Sequence, residues 1–148
     1  MRRCFTSFAR DFDISHFDIL KDEQKKRPDF DRQQALEERL LRFASSVMDF
    51  AGAFARTPEA KPLVSQLVRS ATSIGANYAE ANAGESKADF VHKCSIARKE
   101  AAETRYWLKL AAFRGLGEQS STVALLEECE QLVRIFGAIV SRSKRDDS

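Results

Sequence analysis

The sequence predicts an all-α protein, an antiparallel up-down-up-down four-helix bundle. Apolar residues recur at alternating spacings of three and four in four successive stretches. Short breaks carrying Gly, Pro or Ser separate these stretches, and no segment holds the period of two that a half-buried strand needs. Short connections make consecutive helices antiparallel neighbours. The 148 residues suit one domain with flanking segments: 1–29 as an N-terminal extension, mobile or loosely docked, 30–142 as the bundle, and 143–148 as a charged tail.

Residues 1–28 mix charge with Phe5, Phe8, Phe12 and Phe17 and hold no regular period. From Asp31 the pattern settles: Leu36, Leu40, Phe43, Val47, Phe50 and Phe54 share one helix face, and this first helix is expected to stop at Arg56. Thr57 and Pro58 form a cap and first-position pair for the second helix, whose regular part could instead begin at Pro62. Its inner face is Leu63, Leu67, Ala71, Ile74, Tyr78 and Ala81, and the small Gly75 and Ala79 beside it permit close approach of a neighbour. Gly84 supplies a turn with access to positive φ, and Ser86 with Asp89 forms an aspartate version of the capping box. The third helix spans Lys87 to Phe113 and closes at Gly115, with Phe90, Cys94, Ala97, Ala101, Thr104, Leu108 and Ala111 as its inner seam. Ser120 or Ser121 caps the fourth, which buries Leu125, Cys129, Leu132, Phe136 and Ile139.

Several chemistries are absent from the pattern. His16 and His92 lack the Glu-x-x-His spacing of a di-iron bundle, and Cys4, Cys94 and Cys129 have no metal-site spacing, so no metal or other cofactor is expected. On a helix His92 projects away from Cys94, so it cannot act as that thiol's base, and there is no Gly-rich phosphate loop. Catalytic residues are therefore not predicted, nor is a small-molecule substrate. No apolar run reaches the ~18 residues of a membrane span and no secretory leader follows Arg2 and Arg3, so a cytoplasmic protein with reduced thiols is expected.

What remains is polar patterning on the central helices. The net charge is only +2, but residues 83–117 carry seven basic and four acidic residues whereas 118–140 carry one and four. A basic third helix beside an acidic fourth suits pairing within the fold and also suits a ligand site. Lys87, Arg98, Arg105 and Lys109 fall within an arc of roughly 40° and a length of about 33 Å, either a solvated face or a phosphate-binding stripe. Arg69, Ser73, Asn77 and Glu80 share one side of the second helix, as an inter-helix polar network or a ligand site. Ile96, Trp107 and Leu110 leave the inner seam of the third helix and point to a subunit interface, or to cover by the Phe-rich extension.

The run Gln66-Leu-Val-Arg-Ser-Ala-Thr-Ser-Ile-Gly-Ala-Asn-Tyr-Ala-Glu80, then Glu85-Ser-Lys-Ala-Asp-Phe-Val-His-Lys93 and Lys99-Glu-Ala-Ala-Glu-Thr-Arg-Tyr-Trp-Leu108, closely resembles a family of four-helix-bundle proteins. That family includes proteins encoded in 23S rRNA intervening sequences and the accessory variability determinant (Avd) of diversity-generating retroelements. The resemblance covers residues 30–142. It implies a homopentamer of bundles arranged as a barrel, no enzymatic activity and, in the retroelement branch, a basic surface that binds RNA or DNA and the reverse transcriptase. The acidic fourth helix departs from the strongly basic members of that branch.

Overall fold

A computed structural model of the chain describes residues 28–54 and 58–145. The expectations placed on Cys4, His16 and the phenylalanines of the extension, on the Thr57 cap and on the end of the charged tail lie outside the described residues. Four helices form the rest: α1 (Pro28–Gly52), α2 (Lys61–Ala83), α3 (Lys87–Phe113) and α4 (Gln119–Arg145), with no strand among the described residues. The chain divides into two compact units between Leu36 and Glu37. The described part of the first is the opening of α1, begun by Pro28, a residue whose missing amide costs nothing at a helix start. The second unit, residues 37–148, holds the remainder of α1 and the other three helices.

Several boundaries differ from the sequence expectation, each for a local reason. Helix α1 ends at Gly52 rather than Arg56: the amides of Ala53 and Phe54 turn back to the carbonyls of Phe50 and Ala51, each at 3.3 Å. Phe54 then meets Phe50 edge-on from this turn, with ring centroids 5.1 Å apart, instead of extending the helical stripe. Pro58 lies in a turn, and α2 begins at Lys61 with Pro62 in its first turn, as the alternative start had it. Gly84 does not adopt positive φ; at φ −66° and ψ 149° it carries the chain out extended, straight to the next cap. There Ser86 accepts the Asp89 amide at 3.1 Å and donates its hydroxyl to the Asp89 carboxylate at 2.6 Å, so Asp89 reaches back to the side chain of the cap. Helix α3 has the predicted bounds. Beyond it the Gly115 amide donates to Ala112 and that of Leu116 to Ala111.

Neither Ser120 nor Ser121 caps α4. Gly117, at φ +75°, turns the chain one step early and sets Glu118 at the helix start, where Ser120 and Ser121 both donate their hydroxyls to its carboxylate. The backbone closes there too, with the Thr122 amide on the Glu118 carbonyl at 3.0 Å.

Within the second unit the helices touch in a ring. Leu40 of α1 lies against Gly75 of α2, and Asn82 of α2 donates to Glu37 of α1 at 2.9 Å. Thr104 of α3 lies 2.9 Å from Ser70 of α2, and the Cys129 thiol of α4 donates to the Ala101 carbonyl of α3 at 3.1 Å. Arg39 of α1 meets Glu128 of α4. Val47, Leu67, Ile74, Leu108, Leu132 and Phe136 fill the centre with no exposure, and Tyr78 sets its ring edge against Phe136. On α4 it is Val140 that is buried and Ile139 that is half-buried. The seam there follows the 3.6-residue turn of a straight helix rather than a strict heptad. Ala79 lies exposed, so of the two small residues expected at a close approach only Gly75 is at one.

Candidate nucleic-acid interface

The Ser86 cap and the Gly115 stop hold α3 as an uninterrupted rod whose small inner residues seat it deep in the bundle, leaving its outer surface broad. On that surface Lys87, Arg98 and Lys109 are exposed and Arg105 is half-buried. Arg98 lies along α4 at Gly137, where a Cβ would stand 3.7 Å from its Nε. Arg105 is close enough to Cys129 for its charge to act on that thiol.

Among the described residues the acidic side chains of α4 form no ion pair with Arg98, Arg105 or Lys109. Among the described residues, the α4 acid that forms an ion pair is Glu128. It turns to α1, where Arg39 grips both its oxygens, Nε at 2.6 Å and Nη2 at 2.8 Å, while the same Nη2 donates to Gln131 at 2.7 Å. This bidentate bond raises the Arg39 pKa against the opposing effect of burial. Arg98, Arg105 and Lys109 form no ion pair among the described residues.

The polar residues of α2 divide their bonds. Arg69 pairs with Glu103 of α3, stands 3.7 Å from Glu100 and donates to Gln66 at 3.1 Å; Glu80 pairs with Lys93 of α3. Asn77 bonds its own helix at the Ser73 carbonyl, 2.8 Å away, and Ser73 is half-buried. The Trp107 indole donates to Glu103 at 3.1 Å, and this bond, followed by Arg69, holds the Glu103 carboxyl below the ordinary range although burial pushes the other way.

Ile96, Trp107 and Leu110 are all half-buried. Trp107 and Leu110 line a cleft of about 340 Å³ with Ala60, Pro62 and Leu63, so the start of α2 covers them in part. Among the described residues the most exposed large apolar groups are others: Phe113 at 88 %, Leu41 at 71 % and Tyr106 at 60 %. Tyr106 and Phe113 stand two turns apart on α3, a spacing present in the sequence but hidden from a reading that follows the inner seam, to which neither belongs.

Cys94 and Cys129, both buried, are poorly placed for covalent chemistry. Burial pushes the Cys94 thiol up to about 11 and that of Cys129 to about 12, so both stay protonated and unreactive near neutral pH. Among the described residues no cluster of three His, Cys, Asp or Glu side chains could hold a metal ion, and no helix is long and apolar enough to cross a membrane.

The fold and its surface define a class, the four-helix bundle that presents one polar, basic helix outward. Within that class the comparison with family models is specific: the model described as 23S rRNA-intervening sequence protein matches residues 32–138, and the chain belongs to that family. A solved structure from Bacteroides thetaiotaomicron, described as a protein of unknown function from the S23 ribosomal protein family, is 28% identical with a TM-score of 0.68; the match covers 74% of this chain and 97% of that one. Among curated proteins nothing matches.

Proposed function

We propose that the protein is a non-enzymatic oligomeric scaffold or adaptor of the cytoplasm. In this reading it binds RNA or DNA, or an enzyme that works on them such as a reverse transcriptase, through Lys87, Arg98, Arg105 and Lys109 of α3. The observation that carries the proposal is the unneutralised row: Arg98, Arg105 and Lys109 have no acidic partner among the described residues, while Glu128 of α4 is held by Arg39. A row of cations without an acidic partner among the described residues is matched by a repeating anion. The helices alternate up and down, which is supported by Ser70 meeting Thr104 while Glu80 meets Lys93, the numbers rising on one helix as they fall on the other. Copies of the bundle close into a homopentamer.

The test is charge removal with shape retained. With Arg98, Arg105 and Lys109 changed to Gln, affinity for RNA or DNA should fall and its dependence on salt should flatten, by roughly 0.7–0.9 in log–log slope for each phosphate no longer held, while mass and melting temperature stay as they are. If the parent protein binds no nucleic acid even at low salt, the reading fails. The second reading, a self-assembling protein with protein partners only, then takes its place, favoured by the exposure of Leu41 and Phe113.

A further inference from the structure

Resting on that reading of α3, we infer that the strand it binds is single-stranded, with unpaired bases stacked on Tyr106 and Phe113. The two rings are 60 % and 88 % exposed, and two exposed aromatics on one helix face mark a candidate contact surface. At 100° per residue they lie within about 20° of each other, with Lys99 about 20° to one side of Tyr106. Lys109, Arg98 and Arg105 follow in a row about 60–100° round on the other side. An aromatic ridge thus runs beside a line of cations with no ion-pair partner among the described residues. Backbone phosphates along the cations leave the bases projecting onto the ridge, the division of labour by which proteins hold single strands without reading their sequence.

Geometry and rigidity favour the same occupant. Tyr106 and Phe113 are seven residues apart, about 10.5 Å along the axis, which is about three steps of a strand stacked at 3.4 Å per nucleotide. Tyr106 is not a loose side chain. Its ring packs edge-on against Trp107 with centroids 4.9 Å apart, and Trp107 is tied through Glu103 to Arg69 of α2. The Tyr106 end of the platform is therefore oriented from inside the bundle before any ligand arrives, which lowers the ordering cost of binding. A duplex keeps its bases stacked within itself and offers the ridge no free ring face.

The experiment compares a fluorescein-labelled oligouridylate of about 15 nucleotides with an RNA duplex of equal length, by anisotropy on the full chain over a salt series matched between the two RNAs. The single strand should bind more tightly. Tyr106→Ala with Phe113→Ala should weaken it at least about ten-fold while leaving duplex affinity and the salt slope unchanged, and Tyr106→Phe with Phe113→Tyr should retain it. Because Trp107 is the one tryptophan of the chain and touches Tyr106, its fluorescence should change on adding oligouridylate and not on adding duplex. Equal binding of the alanine pair and the parent, or equal affinity for both RNAs, overturns the inference while the charge row stands. A parent that binds neither RNA overturns both. A fall in oligomer mass in the alanine pair assigns the ridge to a second copy of the chain and also overturns it.

Discussion

Gly117 carries two demands at one position. Its φ of +75° is a conformation that L side chains rarely adopt, and a Cβ there would lie 2.2 Å from Cε2 of Phe50, a ring only 6 % exposed. Gly115 shares the first demand at φ +65° but has open space around it. Gly117→Ala should therefore cost about 1–3 kcal/mol through strain and displacement of a core ring, and Gly115→Ala distinctly less, as urea unfolding of the two variants will show. Equal losses would mean that Phe50 yields without cost. Spacing marks Gly115 as a helix stop but does not reveal Gly117, because its reason is a contact with α1, 67 positions back, that no local pattern encodes. Gly84 shows the opposite error: a glycine after a helix suggests positive φ, yet its neighbours need only an extended link.

At the scale of the element, the α2–α3 pair is joined at its centre by a hydroxyl pair. Thr104 Oγ1 lies 2.9 Å from Ser70 Oγ and 2.8 Å from the Glu100 carbonyl, and Ser70 Oγ lies 3.2 Å from the Leu67 carbonyl, with both residues fully buried. Each hydroxyl keeps a backbone acceptor if the other is removed. Ser70→Ala and Thr104→Val should each cost only about 0.5–1.5 kcal/mol, and a double-mutant cycle should return a coupling within that range. A coupling of zero would mean that each hydroxyl serves its own helix alone. Spacing places Thr104 on the inner seam, and there it is; Ser70, one residue from Ala71, reads in the sequence only as a small residue. The bounds of α3 are fully legible because Ser86 and Gly115 act through adjacent backbone. The start of α4 is not, since two serines mimic a cap when Glu118 holds them both.

For the whole molecule, the positions of Lys87, Arg98, Arg105 and Lys109 are legible in the sequence, whereas the want of an ion pair at Arg98, Arg105 and Lys109 among the described residues is not. A one-dimensional count sets an acidic fourth helix beside a basic third, but the rotation of α4 aims Glu128 at Arg39 instead. That rotation is a property of packing on two sides. The same holds for Trp107 and Leu110, which the spacing sends outward and which the start of α2 partly covers. If they nevertheless contact a second copy across the cleft, light scattering should show a closed assembly, five subunits in the proposed arrangement, and Trp107→Glu should lower its mass before it lowers the melting temperature. A parent that is monomeric at micromolar concentration would exclude this.

The two buried thiols also make the bundle its own clock. Cys94 and Cys129 sit on adjacent helices, fully enclosed and protonated across the physiological range, so a sulfhydryl reagent reaches them only in the moments when α3 and α4 part from their neighbours. The rate at which each one is modified therefore reports how often that piece of the interior opens, and the ratio of the two rates tells whether the helices loosen one at a time or the subunit comes apart as a unit.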